Sequence, residues 1–225
     1  MSQFAEQLRE ACVVVFDFDG TLVDSTPIKH RAFEACFAEF VDQREEILNY
    51  CWGHHHTPRS EKFRHVYEQL LGLSYTPEVA ERLHQQFEEA TTQQIIEAAE
   101  IPGAEQCLAL MRQTHVTAIL SSTPQVVLRH ILMGRNWLRY VHLVQGAPVK
   151  KAHWLTHLRL AWGGHASAVV FFGDTPEDGH AAREAGCTFV HVGEGEDVPR
   201  PVLHIPDFTP LVLSAVRSPH HASVH

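Results

Sequence analysis

The sequence predicts an α/β fold, a doubly wound, parallel, Rossmann-like sheet with a small all-helical cap. Three observations predict it. The run Val13-Val14-Val15-Phe16 is too short for a helix, is built of β-branched and aromatic residues, and closes on the turn signal Asp19-Gly20, the pattern of a buried parallel strand. From Ile101 onward, short apolar runs alternate with amphipathic stretches, and alternating β and α units imply a parallel sheet with right-handed crossovers. Between these parts, residues 25–99 keep helical periodicity and contain no convincing strand.

In chain order, residues 2–10 read as a short amphipathic helix leading into the first strand. Ser25-Thr26-Pro27, with proline at a helix start, marks the change from strand to helix. Ala32, Phe33, Cys36, Phe37 and Phe40 recur at helical spacing, as do Phe63, Val66, Tyr67, Leu70 and Leu71. Thr76-Pro77 opens a long helix expected to reach about Ala99. Beyond Ile101-Pro102-Gly103 the prediction is a helix carrying Leu108 and Met111, a strand from His115 to Leu120 and a helix from Pro124 to Met133. A strand from Tyr140 to Val144, a helix from Ala152 to Ala161 and a strand from Ala168 to Phe172 follow. A helix from Glu177 to Ala185 and a strand from Cys187 to Val192 complete the alternation. A short apolar piece at Val202 to Ile205 and a helix near Leu211 close the fold, and the tail from Ser218 to His225 is expected to fray. The predicted organisation is an α/β core of residues 1–24 and 100–225, with a helical cap of residues 25–99 over the carboxyl edge of its sheet.

Composition narrows the function. A formal charge of −9 with no Lys/Arg-rich tract argues against nucleic acid and anionic membrane as main partners, because phosphate backbones demand basic patches. The five cysteines are odd in number and well separated, which fits a reduced compartment better than a disulfide framework. The start lacks the layout of a signal peptide, and no apolar run approaches the roughly 20 residues a membrane span needs. A cytoplasmic protein is the expectation. Eighteen histidines invite a transition-metal reading, but His54-His55-His56 has no partner at ligand spacing, and His153 and His157 at i, i+4 lack a third ligand.

The chemistry concentrates at strand ends. Asp17 and Asp19 are two residues apart, which on an ideal strand puts them on one face. Two bare carboxylates about 4 Å apart repel by roughly 4 kcal/mol near a protein surface, so they require a cation, a shared proton or a reaction. Asp17-Phe18-Asp19-Gly20-Thr21-Leu22-Val23-Asp24-Ser25 resembles the first motif of the haloacid dehalogenase (HAD) superfamily. The resemblance is to its phosphatase-type members with a helical cap inserted after that motif, the phosphoglycolate phosphatase and β-phosphoglucomutase-like branch. It implies a phosphoric monoester hydrolase with Asp17 as nucleophile and Asp19 as general acid and base, and three further elements in order.

Ser121 supplies the expected hydroxyl at the end of the second core strand, with Ser122 beside it and Pro124 placed in the first turn of the following helix. Hydroxyl and backbone N–H groups at a helix start make an anion site. The third element is a lysine in Gly146-Ala147-Pro148-Val149-Lys150-Lys151. Aligning Gly146 and Pro148 with a branch carrying Gly-Ser-Pro-x-x-Lys selects Lys151, with Lys150 second. The fourth is Gly173-Asp174-Thr175-Pro176-Glu177-Asp178, which resembles the family's acidic metal motif. With Asp17 and Asp19 it converges four carboxylates on one sheet edge, and an all-oxygen set selects a hard cation, Mg²⁺. The resemblance implies ligation by the Asp17 carboxylate, the Asp19 main-chain carbonyl and Asp174, with Asp178 a direct ligand or just behind one. It further implies phosphate binding by Gly20, Thr21, Ser121, Ser122 and Lys151. In the cap, His54, Arg59 and Lys62 are candidates to contact a small anionic or polyhydroxyl leaving group. A phosphosugar mutase and a non-catalytic phosphate-binding module are the alternatives to a phosphatase.

Overall fold

The computed structural model describes residues 7–54, 57–194 and 203–217. The chain divides into two compact units, one formed by residues up to Val23 and from Ala99 onward, the other by Asp24–Ala98.

The first unit is built on six strands, β1 (Val13–Phe16), β2 (Val116–Pro124), β3 (Leu143–Ala147), β4 (Val169–Gly173), β5 (Thr188–Val192) and β6 (Leu203–Ile205). They form one parallel sheet in the order β3-β2-β1-β4-β5-β6. β1 lies inside it, with Val13 opposite both Val116 and Val169. All four β1 side chains are fully buried, which is why its sequence is a continuous apolar run instead of an alternating one. One face packs Val13, Val15, Ala118 and Phe171 against Leu155, Leu158, Ala182 and Ala185 of the helices that follow β3 and β4. On the other, Phe16 stacks on Phe172 at 5.0 Å and both rings meet Phe208. The chain crosses from the β3 side of β1 to the β4 side, and ligands of open α/β sheets sit at such a reversal, outside the carboxyl ends of the strands.

The second unit consists of α1 (Thr26–Cys36), α2 (Arg44–Gly53), α3 (Arg59–His65) with a π turn at Val66–Leu70, and α4 (Pro77–Glu97). Its described residues contain no strand, and its core is aromatic: Phe33, Phe37, Phe63 and Phe87 meet edge to face at 4.9 to 6.1 Å. The helices of the first unit are α5 (Ala104–Thr114), α6 (Gln125–Gly134), α7 (Lys151–Ala161), α8 (Pro176–Ala185) and α9 (Thr209–Arg217).

Three boundaries differ from the sequence reading by more than two residues. β2 continues through Ser121, Ser122 and Thr123 to Pro124, so Pro124 stands before α6 in an extended conformation (φ −52°, ψ 139°) and not in its first turn. β3 begins at Leu143 rather than Tyr140, because buried Trp137 anchors a single 3₁₀ turn over Leu138–Tyr140 and the Tyr140 carbonyl accepts the Thr117 hydroxyl at 2.7 Å. β3 then runs on to Ala147, where Gly146 lets it lie close to β2: a Cβ there would stand 2.5 Å from the Thr123 carbonyl oxygen. Of the predicted first helix, residues 7–10 are helical, and residues 2–6 lie outside the described set, as do Val202 and the tail from Ser218. Among the described residues no helix is long and apolar enough to cross a membrane.

Candidate active site

Asp17 follows the last residue of β1, and its N–H still donates to the Phe172 carbonyl at 2.8 Å, so the strand pins the residue although the side chain has left the ladder. The chain then turns, with the N–H groups of Leu22 and Val23 both reaching the Phe18 carbonyl. Gly20 sits in that turn at φ +82°, and a Cβ there would meet Asp174 Oδ2 at 2.2 Å, so glycine is required for conformation and for space. Thr21 Oγ1 donates to Asp174 Oδ1 at 2.7 Å, joining the loops after β1 and β4.

Asp178 is placed by helix capping. Thr175 caps α8 in a reciprocal capping box, its hydroxyl donating to Asp178 Oδ2 at 2.6 Å while the Asp178 N–H returns to Thr175 Oγ1 at 3.2 Å. Lys151, the first residue of α7, donates from Nζ to Asp17 Oδ1 at 2.8 Å and to Asp178 Oδ1 at 2.7 Å. Lys150 stands one residue outside the helix and is exposed.

Oxygens of Asp17, Asp174 and Asp178 lie within 4.8 Å of one another, the one such metal-competent group among the described residues. Burial, reinforced by Asp178 and Asp174, drives the Asp17 carboxyl well above the ordinary range against the pull of Lys151. Burial and Asp178 push Asp174 up to about 6, opposed by the Thr21 hydrogen bond and Lys151. For Lys151, burial disfavours the charge, but Asp17 and Asp178 outweigh it and hold the ammonium above its usual value.

The fourth carboxylate lies at the same sheet edge on the β2 side. Asp19 Oδ2 accepts from Ser121 Oγ at 3.2 Å and from Thr123 Oγ1 at 2.8 Å. Three carboxylates thus meet around Lys151, while the Asp19 side chain bonds the hydroxyls at the end of the neighbouring strand. Ser122, between the two hydroxyl residues, is exposed.

The three candidate residues of the second unit have partners within it. Arg59 pairs with Glu88 at 2.8 Å and lies over the Phe87 ring. Lys62 is 5 % exposed, donates to the Cys51 carbonyl at 2.8 Å and lies over Phe33. His54 Nδ1 is 2.8 Å from the Tyr50 carbonyl oxygen, and His55 and His56 lie outside the described residues. The sequence reading did not single out Thr123 or Thr175. The signals were present: Thr123 is two residues beyond Ser121 on a strand, and Thr175-x-x-Asp178 has the spacing of a capping box.

A parallel sheet in this order, with acids after two adjacent strands and a lysine opening the helix after a third, defines a Rossmann-like α/β protein that gathers its charged groups at the carboxyl ends of its strands. The model of the haloacid dehalogenase-like hydrolases matches residues 14–192, and the chain belongs to that family. Curated relatives include a phosphoglycolate phosphatase of Synechococcus elongatus, 29% identical over 81% of this chain and 84% of the relative. Another, from Mannheimia succiniciproducens, is 26% identical over 84% of this chain and 89% of the relative. Among solved structures, a predicted phosphoglycolate phosphatase from Haemophilus somnus superposes with a TM-score of 0.70 at 19% identity, covering 92% of this chain and 98% of its own. A candidate β-phosphoglucomutase from Thermotoga maritima gives 0.64 at 18%, covering 91% and 98%. At these identities the structural likenesses establish the fold.

Proposed function

We propose that the protein is a phosphatase that hydrolyses a small phosphate monoester through an aspartyl-phosphate on Asp17. The observation that carries this reading is the Lys151 ammonium bonded to both Asp17 and Asp178. An anionic nucleophile attacking an anionic ester is opposed first by charge, and a fixed cation touching the nucleophile relieves it. Asp17 attacks phosphorus in line, Asp19 protonates the departing alcohol, and Asp19 then takes a proton from the water that cleaves the aspartyl-phosphate. Ser122 and the backbone of Thr21 are the proposed phosphate contacts; of the other expected contacts, the Gly20 N–H donates to the Val23 carbonyl at 2.9 Å and the Ser121 hydroxyl to Asp19, so these two shape the site instead of donating to phosphate. The Thr21 contribution is its N–H, since its hydroxyl serves Asp174.

The donor set fits Mg²⁺. It is all oxygen, and the carboxyls of Asp17 and Asp174 are driven up by burial beside like charges, a strain that a divalent cation removes. Asp17, Asp174 and the Asp19 main-chain carbonyl would hold the ion, with Asp178 a ligand or just behind one. Once bound it supplies positive charge beside the transferring phosphoryl group.

Both curated relatives are phosphoglycolate phosphatases, which makes 2-phosphoglycolate the first compound to try, and a charge of −9 favours such a small ester over nucleic acid. We read residues 25–99 as the specificity cap, with Arg59, His54 and Lys62 its candidate residues. An unchanged KM for Arg59→Ala on the true substrate would remove Arg59 from that list. The deciding experiment is phosphate release from 2-phosphoglycolate, sugar phosphates, nucleotides and p-nitrophenyl phosphate, with and without chelator. Release abolished by chelator and by Asp17→Asn is expected. Isomerisation of a sugar phosphate with a bisphosphate activator, in place of release, would reassign the protein as a mutase. Neither reaction from folded protein would leave the binding module.

A further inference from the structure

We propose that Thr123 positions Asp19 for acid–base catalysis by fixing which carboxyl oxygen carries the transferred proton. This rests on the phosphatase reading above. Thr123 serves Asp19 twice. Its hydroxyl donates directly to Asp19 Oδ2 at 2.8 Å, and its N–H donates at 3.0 Å to Ser121 Oγ, which in turn donates to the same Oδ2 at 3.2 Å. The N–H bond occupies a lone pair of the Ser121 oxygen and directs its one proton toward Asp19. Two donors on Oδ2 make it the poor oxygen to protonate, so the acid form carries its proton on Oδ1.

The segment that does this is itself held. Gln125 Nε2 donates to the Val144 carbonyl at 3.1 Å, Gln125 Oε1 accepts from the Gly146 N–H, and Gly146 admits the Thr123 carbonyl to a distance no side chain would allow. β3 thereby fixes the backbone from which Thr123 reaches Asp19.

In the first step the bond from Asp17 to phosphorus forms, the ester P–O bond breaks, and the Asp19 Oδ1 proton goes to the departing alkoxide. In the second, Asp19 takes a proton from water as the water oxygen bonds phosphorus and the Asp17 oxygen leaves. An alkoxide needs the proton to depart, whereas a nitrophenolate is stable enough to leave with little help. Misplacing Asp19 must therefore penalise an alkyl phosphate far more than an aryl one.

The test measures kcat/KM, which reports the first step, for 2-phosphoglycolate and for p-nitrophenyl phosphate on one preparation of each variant, so that the ratio is independent of the folded fraction. Thr123→Val is expected to lower the alkyl value by about 10- to 100-fold, a part of the full acid–base contribution, and the aryl value by no more than about 3-fold. Thr123→Ser is expected to restore the ratio, and Asp19→Asn to exaggerate it. An equal fall on both substrates, no fall on either, or failure of serine to restore the ratio overturns this proposal while leaving the phosphatase reading intact. Absence of turnover by the wild type across the whole panel named above overturns that reading, and this proposal with it; if another alkyl phosphate of the panel is turned over in place of 2-phosphoglycolate, it takes that place in the ratio.

Discussion

Each unit withdraws a lysine from solvent, half-buried Lys151 in one and buried Lys62 in the other, and the two are shifted in opposite directions. Lys151, in the α/β unit, touches two carboxylates and is held above its normal range. Lys62, in the helical unit, meets a carbonyl and an aromatic face and has no carboxylate among its causes of shift, and burial pulls it down to about 8. The contrast shows that burial alone does not decide the state of a charge. Countercharge makes one lysine a permanent cation suited to anionic chemistry, while the other stays close to losing its proton at mildly alkaline pH.

The comparison breaks most sharply at the carboxylates. Asp17→Asn removes both the proposed nucleophile and the principal partner of Lys151, and phosphate release should fall by at least about 10⁴-fold. Lys151→Met should lower turnover by roughly 10³-fold, the loss of a preorganised cation. It should also destabilise the fold by about 3–5 kcal/mol, because Asp17 and Asp178 are left buried without it. Urea midpoints checked beside turnover separate these two effects.

Lys62 sharpens the other side. Its folded value lies below its unfolded one of 10.5, so between pH 8 and 10.5 the unfolded chain holds the extra proton and stability must rise with pH. Chemical denaturation of wild type and Lys62→Met at pH 7.5 and pH 10.5 should show the wild type gaining on the variant by up to about 3 kcal/mol. A constant difference would show that Lys62 is not buried in solution as it is in the structure. At the small end, the exposed pair Arg44 and Glu34 belongs to neither case. Arg44→Ala should change stability by less than about 0.5 kcal/mol, read from the same denaturation curves.

Much of the α/β unit was legible because its signals are local. A β-branched run ending in Asp-Gly is a strand and a turn whatever surrounds it, and the alternation of such runs fixes the class. Placing acids at the ends of β1 and β4 followed directly. What was not legible depended on where one chain segment meets another. Motif resemblance alone selects Lys151 over Lys150, and the physical ground, that only Lys151 reaches Asp17 and Asp178, needs the start of α7 to within one residue. Which hydroxyls the Asp19 carboxylate meets depends on the pairing of β1 with β2, a contact between segments about 100 residues apart. Thr123 and Thr175 resemble ordinary capping residues, and only three-dimensional pairing shows that one reaches back 104 positions to Asp19. The start of β3 was misread because Tyr140 and Val141 have strand propensity, and the claim of Thr117 on the Tyr140 carbonyl overrides it.

The order of the sheet has a consequence for how the protein is made. Along its edge the participating segments follow β3, β2, β1 and β4, whereas a ribosome delivers β1 first and β4 after the rest. The Lys151 bridge to Asp17 spans 134 positions and the Thr21 bond to Asp174 spans 153. Until β4 and the start of α8 have been synthesised, Asp174 and Asp178 are absent and the cluster cannot form. The carboxylates can therefore meet only after segments far apart in the chain have paired, and such non-local contacts are the slow ones to form.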